Sequence, residues 1–225
     1  MLIYVGTLIL HENLFYATRE VGRLYETGRY LHNYALTYAL GLAVAPYFHA
    51  EQKPRYQEQL EPLNERGIYV TPARGTAVTY SLNTFKYANN NYHVKMELGR
   101  YNTPTFGRAK EVAVGSTFNF AVLSDRESLN LPQWIRLGLW RSKAMVDWDV
   151  AEAQYRHDEF NRTSFPLNPL DVSEEYTAFD LISMPPSSLI DQAMLHCDWW
   201  LAKTANAGSV RLPAGMSYTF PEGIS

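Results

Sequence analysis

The chain has 225 residues, 46% of them hydrophobic and 19% charged, so it can bury one large core and is not disordered. Its formal net charge of -3, taken whole, argues against a nucleic-acid binder. That sum hides a split: residues 1–143 hold 16 Lys+Arg and 11 Asp+Glu, while residues 144–225 hold 4 and 12.

Leu2–Leu10 is rich in β-branched and bulky residues and reads as a buried first strand. It lacks the basic flank and small-residue cleavage site of a signal peptide. Residues 11–28 form an irregular polar-aromatic segment. From Arg29 onward, Leu31, Tyr34, Ala35, Tyr38 and Leu42 fall on one helical face, and Leu36, Ala39, Leu40 and Ala43 make the far side apolar too. The spacing predicts a largely buried helix ended by Pro46. Its apolar run, residues 35–45, is about half of the ~20 residues a membrane span needs.

Residues 51–67 are charged, contain Pro54 and Pro62, and read as loop with at most a short helix. Ile68–Val70 is a short strand stopped by Pro72. Residues 78–82 and 92–98 flank Asn89-Asn90-Asn91, a strong turn signal, and predict a hairpin. Residues 99–115 read as an exposed connection, 117–123 as a strand, Trp134–Leu137 and residues 144–150 as further strands, and 161–171 as loop. Tyr176–Ile182 is the last long strand expected. Pro185-Pro186-Ser187-Ser188 then opens a second helix through Leu189, Ala193, Leu195 and Trp199. Strands with one central and one late helix, in no regular alternation, give the class α+β. The β-α-β-β opening is compatible with a ferredoxin-like sheet carrying a hairpin extension.

Several chemistries are missing. There is no G-x-x-x-x-G-K-[ST] loop, no G-x-G-x-x-G, no G-x-S-x-G elbow and no H-E-x-x-H. The six histidines are scattered without metal-ligand spacing, and His157-Asp158-Glu159 reads as a solvated charge cluster. Asp147 and Asp149 share one strand face and can be either an acid–base pair or surface acidity. Cys197, the single cysteine, excludes an intramolecular disulfide and reads as a small buried hydrophobe. A reducing compartment follows, so Asn161-Arg162-Thr163 is an idle glycosylation sequon and the expected location is the cytoplasm. No cofactor is expected.

Two segments carry nucleic-acid chemistry. In residues 16–34, Arg19, Arg23 and Arg29 alternate with Tyr25, Tyr30 and two glycines and lead into a helix. Guanidinium forks pair with phosphate oxygens, and tyrosine faces stack on unpaired bases. The competing reading is a loop whose tyrosines complete the core and whose arginines pair with Glu20 and Glu26. In residues 132–143, Arg136, Arg141 and Lys143 flank Gly138, where a ligand backbone can approach, and Trp140 offers a stacking face. A strand edge with solvated cations is the alternative. Residues 104–110, with Arg108 and Lys110, form a third basic segment, equally readable as an ordinary loop.

These segments also resemble a known family. Ala17-Thr18-Arg19-Glu20-Val21-Gly22-Arg23-Leu24-Tyr25-Glu26-Thr27, the run from Leu31-His32-Asn33-Tyr34 to Gly41, and Gly67-Ile68-Tyr69-Val70-Thr71-Pro72-Ala73-Arg74 are similar to blocks of a type I-D CRISPR-associated Cascade subunit. Phe106-Gly107-Arg108-Ala109-Lys110-Glu111 and Ile135-Arg136-Leu137-Gly138 with Ser142-Lys143 continue the match, which spans nearly the whole chain. The family belongs to the RAMP superfamily and caps the 5′ handle of the guide RNA. The resemblance implies a single elaborated ferredoxin-like domain, residues 1–225, with a C-terminal extension and a β-hairpin thumb within residues 76–124. It implies a non-catalytic subunit that grips handle RNA with Arg19, Arg23, Arg29, Arg74, Arg108, Lys110, Arg136, Arg141 and Lys143. Tyr25 and Trp140 are expected to stack on bases, and His32 and Asn33 to read base edges. Implied partners are the guide RNA, the backbone and large subunits of the effector complex, and target double-stranded DNA near its flanking motif, with no membrane. The rival readings are a metal-independent endoribonuclease built on His32 with Tyr30 or Arg29, and an assembly subunit without RNA contact.

Overall fold

The computed structural model describes residues 1–43, 45, 54–86, 106–125, 128–205 and 208–220. In chain order its first elements are β1 (Leu2–Leu10), β2 (Arg19–Val21), β3 (Leu24–Glu26), β4 (Tyr30–Leu31), α1 (Asn33–Ala39), α2 (Tyr56–Leu60) and α3 (Pro62–Glu65). Then come β5 (Ile68–Val70), β6 (Ala73–Ala77), β7 (Tyr80–Lys86), β8 (Phe106–Val112), β9 (Thr117–Ser124), β10 (Trp134–Leu137) and β11 (Ser142–Glu152). The chain closes with β12 (Gln154–Arg162), β13 (Tyr176–Ile182), β14 (Leu189–Thr204) and β15 (Gly208–Pro213).

The main sheet runs β10-β11-β1-β9-β6-β4, with β5 also on β9, and its pairs are antiparallel. β1 lies at its centre, which explains an apolar run with little alternation: both faces are covered. Gly6 makes the close packing there possible. A Cβ at that position would stand 2.7 Å from the Phe120 ring and 2.9 Å from the Trp148 ring, two side chains that meet edge to face at 5.4 Å. The core over this sheet includes Ile3, Leu8, Phe118, Phe120, Leu36 and Tyr218.

β14 organises a second sheet, with β12 on one side and β13 and β15 on the other. Here the sequence reading is overturned. The late helix expected from Leu189 is a 16-residue strand. Leu189, Ala193, Leu195 and Trp199 are all odd-numbered and all buried, with Asp191 and Cys197 on the same side, so the period is two and not 3.6. Leucines and alanines have helical propensity, but strands on both flanks of β14 decided the outcome. The expected class α+β therefore gives way to a mostly antiparallel β architecture with short helices.

Three further expectations change. α1 is seven residues long, not a helix from Arg29: Tyr30 and Leu31 pair with β6, and His32 is the N-cap. Gly41, at φ 71°, marks its end rather than Pro46, which lies outside the described residues. β7 pairs with β8, which falls in the stretch read as an exposed connection, while the predicted hairpin partner at 92–98 and its asparagine turn lie outside the described residues. Of the strands within residues 76–124, β9 belongs to the main sheet, and β7 and β8 to the third.

That third sheet has the order β2-β3-β8-β7. β2 and β3 join through Gly22-Arg23, with Gly22 at φ 61°, a conformation that a two-residue hairpin turn reserves for glycine. Residues 11–28, read as irregular, thus contain two short strands.

Candidate nucleic-acid interface

The register of the third sheet sorts its side chains by face. Arg19, Glu26, Lys110 and Leu82 stand opposite one another across the four strands, and Val21, Leu24, Arg108 and Thr84 form the next row. These rows share a face with Phe106 and Tyr80. Val21, Leu82, Tyr80 and Phe106 are all exposed, at 39–57%, as is Arg108, whereas the alternate residues Gly107, Ala109 and Glu111 are buried. One outward face therefore carries cations among aromatic and apolar side chains.

Rings and carboxylate hold these cations in place. The Arg23 and Arg108 guanidinium carbons lie 5.6 and 5.9 Å from the Phe106 ring centre, and Lys110 Nζ lies 4.3 Å from that of Tyr80. Arg19 Nε donates to Glu26 Oε2 at 2.9 Å, and Lys110 Nζ sits 3.6 Å from Glu26 Oε1. The Arg19 hydrogen bond and charge, with those of Lys110, hold the Glu26 carboxyl below its ordinary value. Pairing of an arginine with Glu26 is thus realised, and the arginine stays on the surface. Tyr25 points to the other face, its ring 6.0 Å from that of Phe85, and Arg29 lies over the Tyr30 ring.

A second basic region surrounds the β10–β11 turn. Arg136 Nη1 donates to the Arg141 carbonyl at 2.9 Å and lies 3.7 Å from Glu12 Oε2. Lys143 Nζ lies 4.1 Å from the centre of the exposed Trp134 ring. Arg136, Arg141, Lys143, Trp134 and Tyr38 line a cleft of about 530 Å³. Trp140 is half exposed, with one side of its ring 4.9 Å from Phe15. Gly138 has a different role from the one expected. At φ 71°, a Cβ there would meet the Phe15 carbonyl oxygen at 2.6 Å, so the backbone it admits is the protein's own. The neighbouring Leu139 N–H donates to that carbonyl at 2.9 Å.

Three further residues expected at the RNA contact turn into the protein interior. His32 is 4% exposed. Its Nδ1 accepts from the Tyr34 N–H at 3.2 Å, which places the proton on Nε2, 3.0 Å from Ser187 Oγ. Burial pushes its pKa down to about 4, so the ring is neutral. Asn33 is fully buried and donates to Asp171 Oδ2 at 2.8 Å. Asp171 also accepts from Tyr69 at 2.9 Å and from the Thr219 N–H, and burial pushes its pKa up to about 6. Arg74 turns inward, with Nε 3.2 Å from the buried Asp191 and Nη2 donating to the Ser164 carbonyl at 2.8 Å. These groups join the main sheet and α1 to the β14 side of the molecule, and none presents an edge to a base.

Sequence reasoning missed Tyr80 and Leu82. The signal is present as alternation, Tyr80-Ser81-Leu82-Asn83-Thr84, but the face it forms depends on pairing with β8, which lies in a stretch without a clear strand signal. His157, Asp158, His196 and Asp198 do cluster, with His157 Nδ1 2.6 Å from Asp198 Oδ1 and His196 Nε2 3.4 Å from Asp158 Oδ1. Among the described residues no group of three or more His, Cys, Asp or Glu side chains is placed to hold a metal ion. Nor is any helix among them long and apolar enough to cross a membrane.

Comparison with known proteins adds the following. The sequence model of a family described as type I-D CRISPR-associated protein Cas5/Csc1 matches residues 1–221. No curated protein matches the chain. Among solved structures, a chain of the cryo-EM structure of the type III-B Cmr-beta bound to cognate target RNA and AMPPnP aligns with 92% of this chain and 86% of its own. The TM-score is 0.40 and the identity 8%.

Proposed function

Because the chain belongs to the type I-D CRISPR-associated Cas5/Csc1 family, we propose that it is a non-catalytic subunit of the effector complex that holds the 5′ handle of the guide RNA. The observation that carries this reading is the outward face of the third sheet. Arg19, Arg108 and Lys110 project there beside Tyr80 and Phe106, with Arg23 over the Phe106 ring. Cations that neutralise phosphates and rings that stack on bases are the two requirements for binding a single strand. The β10–β11 cleft supplies a second set of cations.

The main-sheet order β11-β1-β9-β6, with α1 between β1 and β6, supports a ferredoxin-like core, and β7 with β8 supports a thumb. In this reading the protein works in the cytoplasm beside the backbone and large subunits, with target DNA in reach. The burial of His32 argues against an endoribonuclease centred on it, since both ring nitrogens are engaged inside the protein.

The test is handle-RNA binding by the full chain across a salt series. We expect log affinity to fall linearly with log salt, by ~0.7 per neutralised phosphate. Changing Arg19, Arg23 and Arg108 together to Glu should weaken binding at least tenfold. Unchanged affinity and unchanged complex yield would overturn the RNA-binding assignment, and specific cleavage in chelator would overturn the non-catalytic one.

A further inference from the structure

A cavity of about 280 Å³ lies between α1, the start of α2 and the β10–β11 turn. Its lining is aromatic. Tyr34, almost fully buried, has the Tyr56 ring centre 5.0 Å and the His32 ring centre 4.5 Å from its own, and Tyr38 lies 6.3 Å from Tyr56. Met184 and Pro186 also line it. The volume falls just below the ~300–1,000 Å³ of pockets that hold drug-sized molecules, so it suits one ring system.

Tyr38 also lines the neighbouring cleft, whose walls carry Arg136, Arg141 and Lys143. An aromatic pocket thus shares a wall with a basic cleft. We propose that the pocket takes one nucleobase turned out of a bound single-stranded RNA, while the adjoining phosphates lie in the Arg136–Lys143 cleft. This rests on the RNA-binding reading above and assigns a specific position within it.

Two features favour a base over an apolar side chain from a neighbouring subunit. A base arrives with a phosphate attached, which the adjacent cations can meet, and a leucine or phenylalanine does not. The Tyr56 hydroxyl makes no hydrogen bond to any described residue, which leaves it available to a base edge. Stacking between aromatic side chains is also how proteins retain splayed RNA bases.

The experiment walks a single abasic nucleotide along handle RNA and measures affinity for the full chain at each position. We expect one position where removing the base costs about tenfold, the scale of a base–aromatic stack. Tyr56→Ala should abolish that penalty. Ala35→Trp, made on an exposed α1 residue that lines the pocket, should also abolish it by plugging the space without touching the core. Tyr56→Phe should keep most of it.

A flat abasic profile, or a penalty that survives both Tyr56→Ala and Ala35→Trp, overturns the pocket assignment. So does an unchanged profile combined with loss of complex assembly in Ala35→Trp, which would identify a protein side chain as the occupant. If the chain shows no salt-dependent binding to handle RNA at all, it is the broader reading that fails. Binding that depends on Arg108 with no pocket-dependent position refutes only the present proposal.

Discussion

The outward face of the third sheet and the polar layer between α1 and β14 are built from the same kinds of residue, yet they are physical opposites. On the sheet, Arg19, Arg108 and Lys110 keep their charges at the surface, steadied by Glu26 and by rings. In the layer, Arg74 spends its guanidinium on Asp191 and a backbone carbonyl, and His32 is held neutral among buried tyrosines. A cation counts toward an interface only when its partner leaves it facing solvent. A sharp comparison should therefore show the layer failing in stability when mutated and the sheet failing in binding.

The largest separation is expected at Arg74. Removing one partner of a buried ion pair leaves the other charge uncompensated, typically at about 3–5 kcal/mol. Asp191 keeps the Tyr30 hydroxyl at 3.0 Å, so Arg74→Ala should cost about 3 kcal/mol in urea unfolding. Arg74→Ala combined with Asp191→Asn should recover much of it. An Arg74→Ala protein of wild-type stability that had lost RNA affinity would return Arg74 to the interface.

Next in size is a pH signature confined to the layer. Asp171 has a folded pKa near 6, above the unfolded carboxyl value, so the native state binds the proton more tightly. Its stabilising contribution is full below about pH 4 and is lost as pH rises through 6. His32 runs the other way: its folded pKa near 4 lies below the unfolded value, so its contribution is present above about pH 6.5 and is lost as pH falls through 4. Between pH 4 and 6 the two slopes oppose. Unfolding measured across that window should be nearly level for these groups in the native chain. It should fall with rising pH in His32→Gln and rise in Asp171→Asn, by up to ~1.4 kcal/mol per pH unit. Parallel profiles in all three proteins would show that the layer does not carry this linkage.

The same contrast explains what could be read from the sequence. β1, β5, β9, β10, β11 and β13 were legible because their apolar or alternating runs are local signals. β14 was not: its even positions carry Met194, Trp200 and Ala202, which blur the alternation until the flanking strands are known. Arg19, Arg23, Arg108 and Lys110 were legible as cations near aromatics. That Arg108 stands beside Leu24 in parallel register, however, depends on residues more than 80 positions apart. His32, Asn33 and Arg74 carry the same local chemistry as polar residues exposed on the surface. Only their long-range partners Ser187, Asp171 and Asp191 reveal that they face inward.

A smaller effect is expected from Arg108→Ala. With its guanidinium over Phe106 and no buried partner among the described residues, it should change stability by less than ~0.5 kcal/mol. Affinity for handle RNA should drop severalfold, and the salt slope should flatten by about 0.7, one phosphate's share. A stability loss without a change of slope would move Arg108 to the structural side of the comparison.

The smallest effect tests the sheet most directly, because its sign is opposite to the others. Glu26 is the carboxylate between Arg19 and Lys110, and it holds both cations by direct contact. A phosphate approaching this row competes with that carboxylate for the same N–H donors and is repelled by its charge. Glu26→Gln removes the repulsion and preserves shape and much of the hydrogen bonding. RNA affinity should therefore rise, by about twofold and more at low salt than at high salt, where screening already weakens the carboxylate. If Arg19 and Lys110 instead serve only to fasten β2 and β8 to β3, the same substitution loosens the sheet and affinity is unchanged or lower. The direction of one modest change thus decides whether Glu26 restrains an interface or simply pins an edge.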